Sequence, residues 1–285
     1  MLFQPAQKSI QIRPAQESDR LQLSNLLYFE PYIHRHLDWK RSLDWLGERP
    51  FLVAERKGQV VATLVCPPEP PGVAWIRAFA VSNQIRPEQA WSLLWQKAFR
   101  ELSEQGKLRI AALCADAWMR KLLESSGFHQ THAVVLLVWN GTAPLAPPRY
   151  PARPRVMLPK DLPQVFELDW ICFDTLWRNS QETIKLALNQ AVFATVVEEE
   201  GKIAGYQIST PSPRGGHLAR LAVHPDMQGK GIGYAIVYDL LARFSNRAAE
   251  IVTVNTQADN MASLALYHRA NFEQTGHKYP VYEYY

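Results

Sequence analysis

Two stretches in the second half of this 285-residue chain carry residue types that can do chemistry. The first is Gln228-Gly229-Lys230-Gly231-Ile232-Gly233. A strand-like segment precedes it, His217-Leu218-Ala219-Arg220-Leu221-Ala222-Val223-His224, closed by Pro225. A helix follows it, in which Ile236, Leu240 and Phe244 recur at a spacing of four beside Val237 and Leu241. A glycine-rich turn between strand and helix leaves backbone N–H groups at the helix start without partners inside the helix. Glycines there remove the side chains that would hold an anion away, and the helix dipole adds positive potential. The turn therefore reads as a phosphate cradle. It is not a P-loop, because Lys230 is followed by Gly231 and not by Ser or Thr. It is not the dinucleotide fingerprint either, because Tyr234 stands where a third Gly or Ala belongs, although Glu250 lies near the distance of a ribose-binding acid.

The second stretch is Asn255-Thr256-Gln257-Ala258-Asp259-Asn260, then Met261-Ala262-Ser263-Leu264-Ala265-Leu266-Tyr267, then Asn271-Phe272. Together the patterns Q-x-x-G-x-G and N-x-x-S-x-x-L-Y-x-x-x-x-F resemble the GNAT superfamily of acetyl-CoA-dependent N-acyltransferases. The resemblance covers residues 153–285. It implies that the coenzyme A pyrophosphate lies against the backbone from Gln228 to Tyr234, through Gly229, Lys230, Gly231, Ile232 and Gly233. It implies that Leu221, Ala222 and Val223 pair with the pantetheine amides as an added strand would, with the Val223 N–H polarising the thioester carbonyl. Asn260 would cap the second helix and, with Ser263, contact the cofactor arm. Tyr267, seven residues after Asn260, takes the place of the acid that protonates the departing thiolate; its bland alternative is a core aromatic. The family's glycine before phenylalanine is Asn271 here, a residue that tolerates the left-handed backbone.

The general base is less marked. Relatives that acetylate ribosomal-protein N-termini carry a glutamate five residues before the helix asparagine, and here that residue is Asn255, which can hold a relay water but cannot accept the proton. His217 lies on the strand before the loop, in phase with Val223, and its unperturbed pKa suits the work. A packing role for His217 stays open, as do Asp169, Asp174 and Glu198 as bases, or water alone.

Composition bounds the remaining classes. Hydrophobic residues are 47% and charged residues 20%, ordinary for a soluble globular chain, and the length suits two domains. There is no membrane-length apolar run and no signal-peptide pattern, so a cytoplasmic protein is expected. Cys66, Cys114 and Cys172 have no C-x-x-C spacing, which points to free thiols and no metal site. The net charge of +4 comes entirely from the first half, with 17 Lys/Arg against 13 Asp/Glu before residue 146 and 14 against 14 after it. No dense basic stripe marks a nucleic-acid partner.

Residues 140–154 contain five prolines and divide the chain. On each side the same order can be read: strand, helix, hairpin, strand, helix, strand, helix, closing strand. We therefore expect an α/β (α+β) protein of two tandem GNAT-like domains, each a mixed, mostly antiparallel sheet flanked by helices. The expected boundaries are 1–142 for a degenerate domain, 143–154 for a linker and 155–285 for the acetyltransferase domain. Where the second half has its glycine turn, the first reads Asn83-Gln84-Ile85-Arg86-Pro87-Glu88-Gln89, without glycine and with a proline that lacks an N–H. The first domain is thus expected to have lost coenzyme A binding. Seven of the nine tryptophans fall in this half and are expected to pack its core.

The resemblance implies acetyl-CoA as co-substrate, no metal, and transfer of acetyl to a primary amine, on a small molecule or a peptide N-terminus. The amine is expected to enter between the domains, over helical residues 161–190 with Trp170, Phe173 and Trp177. The motifs look most like the ribosomal N-terminal acetylating enzymes, whereas the two-domain plan looks more like mycothiol synthase, which acetylates a thiol-sugar amine. The rival from another class is a non-catalytic acyl-CoA-binding or regulatory module.

Overall fold

The computed structural model describes residues 10–141, 146–150 and 153–285; residues 143–145 and 151–152 of the expected linker lie outside them. The first half runs β1 (Gln11–Pro14), α1 (Arg20–Phe29), β2 (Tyr32–Arg35), β3 (Phe51–Arg56), β4 (Gln59–Val65), β5 (Val73–Trp75), β6 (Ala78–Val81), α2 (Pro87–Ser103), β7 (Arg109–Leu113), α3 (Ala117–Ser125) and β8 (Phe128–Trp139). The second runs β9 (Arg155–Val156), α4 (Leu162–Cys172), α5 (Gln181–Gln190), β10 (Phe193–Glu199), β11 (Lys202–Ser212), β12 (Gly215–Val223), α6 (Ile232–Ser245), β13 (Ile251–Gln257), α7 (Met261–Arg269) and β14 (Glu273–Tyr284). The expected strand at residues 74–81 is in fact broken between β5 and β6, and β2 has no counterpart in the expected order.

The two halves share physical details as well as element order. Arg13 holds Asp19 through two hydrogen bonds and also binds Glu55; Arg155 does the same with Asp161 and Glu198. In each case the aspartate also accepts a backbone N–H three residues earlier, from Gln16 and from Leu158, which fixes the entry into the first helix. Each hairpin turns on a left-handed pair, Lys57-Gly58 with φ of 55° and 78° and Glu200-Gly201 with φ of 51° and 77°. Positive φ at both central residues is what a two-residue turn matched to strand twist requires.

By Cα proximity the chain forms two compact units, Met1–Thr131 with Pro280–Tyr285, and His132–Tyr279. This differs from division at residues 142 and 155. In the first unit the strands order as β1-β3-β4-β6-β2, while β5 runs parallel to β7 and β7 pairs antiparallel with residues 281–284. In the second unit β9, β10, β11 and β12 are antiparallel neighbours, β12 is parallel to β13, and β13 is antiparallel to residues 134–139 of β8. Each unit is thus a mixed, mostly antiparallel sheet flanked by helices. The first packs Trp91, Trp95, Phe79 and Phe128 into one core, in keeping with its tryptophan content. The second packs α6 and α7 on β12 and β13 through Leu218, Val237, Leu241, Val254 and Phe272.

The last residues therefore complete the first unit. Val281 and Tyr282 are buried there, and buried Glu283 is satisfied by Arg109 and Thr131 at 2.9 and 2.7 Å. Deleting residues 280–285 exposes the neighbours of two core side chains and leaves Arg109 without its carboxylate, a loss of about 3 kcal/mol or more. Hydrogen exchange of the truncated protein is expected to show deprotection of β7 and α2 with β12 and α6 unchanged; the reverse pattern would contradict this assignment.

Candidate active site at a splayed strand pair

The site begins with one extra residue. The antiparallel register of β12 on β11 passes from Ile208 opposite Arg220 to Ser209 opposite Leu218, so Ala219 is bulged out. A bulge bends its strand and sharpens the twist. The parallel pairing of β12 with β13 holds only from Gly215 opposite Ile251 to Leu218 opposite Val254. Past the bulge the two strands separate.

The register also says where the freed backbone points. His224 N–H donates to Ala204 O at 2.8 Å, so Ala222 and Arg220, two and four residues back, face β11 with their peptide groups. Leu221 and Val223 then turn their N–H and C=O groups to the opposite edge, into the opening left by β13. Among the described residues no strand pairs with this edge, and only the Val223 carbonyl is met, by the Gln228 amide and the Cys172 thiol; an extended amide ligand can complete such an edge.

The bulge also sorts side chains between the two faces. Leu221 and Val223 pack on the α6 side with Ile232 and Ile236. Arg220 lies on the α4 side, where its Nε and Nη2 bind Asp169 at 2.7 and 2.9 Å. His217 is on the α4 side too, with Nδ1 2.8 Å from Thr253 Oγ1. A plain two-residue period would have put His217 in phase with Val223; the extra residue puts them on opposite faces.

At the end of the opening the glycine turn starts α6. Gly231 takes φ 97° as the residue before the helix and accepts the Ala235 N–H, a conformation that other residues adopt only with strain. A Cβ on Gly231 would lie 3.2 Å from Tyr150 Cβ, whereas at Gly229 (φ 75°) nothing stands within 4 Å. The first-turn N–H groups of α6 are thus presented without a side chain at the glycine positions. The long side chains of the turn are engaged elsewhere. Gln228 Nε2 donates to Val223 O at 3.0 Å, Lys230 Nζ lies 3.2 Å from Met227 Sδ, and the Tyr234 hydroxyl donates to Ala146 O at 2.7 Å. Gly233 allows a close approach, since a Cβ there would meet Leu266 Cδ2 at 3.3 Å and Val223 Cγ2 at 3.6 Å.

Asn260 caps α7 as expected, its Oδ1 accepting the Ser263 N–H at 3.0 Å. Asn271 has φ 62°, the left-handed value expected where relatives have glycine. Tyr267 is 4% exposed and packs against Phe272, and burial alone raises its pKa, so the phenol stays protonated. Burial lowers the His217 pKa, leaving a neutral imidazole near pH 7. Asn255 lies on β13 one residue past the last β12 rung, and its Oδ1 is enclosed with no hydrogen-bond partner among the described residues.

Three other carboxylates named as bases are engaged. Asp169 is fully buried between Arg220 and the Tyr206 hydroxyl, which donates at 2.5 Å. Asp174 Oδ1 accepts the Leu176 N–H at 3.1 Å, and Glu198 binds Arg155 at 2.8 Å. Of the aromatics expected near the acceptor, Phe173 lies under the Arg220 guanidinium at 3.4 Å and Trp177 O accepts from it at 2.9 Å. Trp170 turns outward beneath Arg178, 4.3 Å away. The Asp169–Arg220–Tyr206 network has no spacing signature in the sequence, because its members come from α4, β12 and β11.

The first unit keeps the left-handed residue before a buried phenylalanine, at Gly127-Phe128, but lacks the open edge, the glycine turn and the tyrosine. Ser82 N–H donates to Val61 O at 2.9 Å as His224 does to Ala204, so Phe79 and Val81 are the counterparts of Leu221 and Val223. Their outer edge is already paired: β2 lies along β6 with His34 opposite Phe79 and Tyr32 opposite Val81. The chain's own strand fills the position left open in the second unit. Arg86, in an extended conformation with φ −73°, stands where Gly231 stands, and α2 opens with Pro87 and the acidic Glu88. The Ser126 N–H bonds to Leu123 O as the Ala270 N–H bonds to Tyr267 O, so fully buried Leu123 takes the tyrosine position.

The family model for the acetyltransferase (GNAT) family matches residues 20–128 and again 162–272, most of the chain. The chain belongs to the GNAT family. A [Ribosomal protein bS18]-alanine N-acetyltransferase of Escherichia coli K12 is 25% identical over 114 residues, 40% of this chain and 76% of that one. A tandem GNAT protein of the clavulanic acid biosynthesis pathway superposes with TM-score 0.66 at 16% identity, covering 96% of this chain and 98% of its own. A GCN5-related N-acetyltransferase of Sphaerobacter thermophilus gives TM-score 0.66 at 14% identity, covering 96% and 95%. At these identities the structural likeness speaks to fold. Among the described residues no His/Cys/Asp/Glu group could hold a metal, and no helix is long and apolar enough to cross a membrane.

Two variants separate the two units. Gly231→Val imposes a β-branched residue on a left-handed position and crowds Tyr150 beside the helix start, and is expected to weaken coenzyme A binding more than tenfold. Replacing Arg86, Glu88 and Gln89 together by alanine should leave that affinity within twofold in calorimetry. A tenfold loss from the triple variant would refute the one-site assignment.

Proposed function

We propose that the second unit is an acetyl-CoA-dependent N-acetyltransferase that transfers acetyl to a primary amine. One observation supports this most: the edge of β12 at Leu221 and Val223, which no described strand pairs, leads to the glycine-flanked start of α6. An amide-bearing arm ending in a phosphate fits that edge and that helix start. Acetyl-CoA, the donor used across the family, supplies the activated acyl thioester.

In this reading the chain's own groups divide the work. The Leu221 and Val223 amides hold the pantetheine arm, and one of them polarises the thioester carbonyl. The N–H groups from Gly229 to Tyr234 receive the pyrophosphate, with Gln228 and Lys230 at its rim, and Ser263 faces the arm beside Asn260. The amine attacks the carbonyl carbon, the C–N bond forms and the C–S bond breaks. His217, neutral and oriented by Thr253, takes the amine proton, directly or through a water held at Asn255. Tyr267, kept protonated by burial, gives a proton to the sulfur. The net change moves one proton from nitrogen to sulfur.

Activity is read as free thiol release from acetyl-CoA across a panel of primary amines. Tyr267→Phe is expected to lower kcat about 100-fold with acetyl-CoA affinity unchanged. Unchanged turnover would remove the acid. For His217 the depressed pKa puts the acid limb of kcat/KM below pH 6.5, activity being present above that limb and lost as pH falls through it. His217→Ala should abolish the limb; a profile superimposable on the parent would remove the base. Binding of acetyl-CoA without turnover on any amine would favour a non-catalytic acyl-CoA-binding module.

A further inference from the structure

We propose that Arg220 and Asn255 make this site selective for an α-aminoacyl amine, one whose nitrogen is a single carbon away from a carbonyl. The inference rests on the acetyl-transfer reading above and names the acceptor class for the same site.

Arg220 has five N–H donors on a rigid fork. Nε donates to Asp169 Oδ2, and Nη2 donates to Asp169 Oδ1 and to Trp177 O, which uses three. The Tyr206 hydroxyl gives its own proton to Asp169 while its oxygen accepts a fourth N–H from the guanidinium, which leaves one. Nη1 thus keeps an N–H that no carbonyl or carboxylate among the described residues takes up. The group cannot turn away to find one. Asp169 is fully buried and also held by Tyr206, and the Phe173 ring lies against the guanidinium face at 3.4 Å. The result is a cation with its charge balanced and one edge still able to donate. That combination suits a carbonyl oxygen, a neutral amide or a carboxylate alike.

Asn255 supplies the complementary half. Its Oδ1 is an enclosed acceptor to which nothing among the described residues donates. A buried acceptor left unpaired costs about 1–3 kcal/mol, which a bound N–H would recover. The register places both residues at the same level of one face. His217 pairs with Thr253 and Leu218 with Val254, so Asn255 comes next on β13 and the bulged Ala219, then Arg220, come next on β12. Thr253 and Asn255 alternate to the side where Arg220 and His217 lie.

Around the start of the opening there is thus a base, a hydrogen-bond acceptor and a donor edge. An acceptor in which a primary amino group, one substituted carbon and a carbonyl follow in order matches them. One amine hydrogen goes to Asn255 Oδ1, the carbonyl oxygen takes Arg220 Nη1, and the nitrogen lone pair is left for the thioester beside Leu221. A simple alkylamine leaves Nη1 unpaired, and sites built around such a bond discriminate strongly against ligands that lack it.

The test compares L-alaninamide, free L-alanine and 2-aminopropane as acceptors, with kcat/KM expressed per unprotonated amine. L-alaninamide should exceed 2-aminopropane at least tenfold, and its comparison with L-alanine tells a peptide-like carbonyl from a free carboxylate as the preferred form. In the charge-neutral double variant Asp169→Asn/Arg220→Gln the preference should fall to near unity. Because that variant alters a buried network, Asn255→Leu provides an independent arm. It removes no hydrogen bond seen in the structure, and should raise the amine KM at least tenfold without changing acetyl-CoA affinity. Equal kcat/KM for L-alaninamide and 2-aminopropane in the parent, or an unchanged amine KM in Asn255→Leu, overturns the selectivity while leaving acetyl transfer intact. Acetyl-CoA binding with no transfer to any amine overturns both.

Discussion

The bulge at Ala219 is the constraint on which the second unit depends. A strand held on both sides by regular ladders would have no free peptide groups in mid-sheet. With one extra residue, β12 stays bonded to β11 along its length yet leaves β13 after four rungs. That departure leaves the Leu221 and Val223 N–H groups without a ladder partner inside the sheet. It also reverses the side-chain phase, so that His217 and Arg220 face α4 while Leu221 and Val223 stay with α6. The buried Asp169–Arg220 pair then ties α4 to the separated part of β12. Breaking one partner of such a pair is costly because a buried charge is left alone.

The same strategy in the first unit ends differently. Its break between β5 and β6 frees the same two peptide positions, but β2 pairs with them. A sheet edge must be satisfied by something, and here the chain satisfies it internally. The helix start that would have bound phosphate carries Pro87 and Glu88, and the tyrosine position is a buried leucine. These departures agree with one another, since a groove filled by a strand needs neither a phosphate cradle nor an acid. The unit keeps its fold because the core on α2 and α3, rich in tryptophan, does not depend on the groove.

Much of this was legible in the sequence where the physics is local. The glycine turn before an amphipathic helix, the Asn260 cap, the left-handed Asn271 and the two hairpin turns all follow from residue types at short spacing. The family and the repeat followed from the order of such signals. What was not legible is non-local. Tyr-Ile-His-Arg at 32–35 has no strand alternation strong enough to announce β2, which exists because β6 offers it an edge. The bulge is a mismatch between two strands and is written in neither alone; it misled the phase argument for His217. Division at the proline-rich segment also differs from the compact units, because residues 280–285 complete the first unit through pairing with β7. Arg220 and Asp169 lie 51 residues apart, and nothing in either segment marks them as partners.

The central claim is that the two copies of the fold hold one cofactor site, at the splayed edge of β12. Calorimetric titration of the whole chain with coenzyme A measures this directly. One molecule bound per chain, with binding lost in Gly231→Val, is the predicted result. Two molecules per chain, or a single one that survives that substitution, would contradict it.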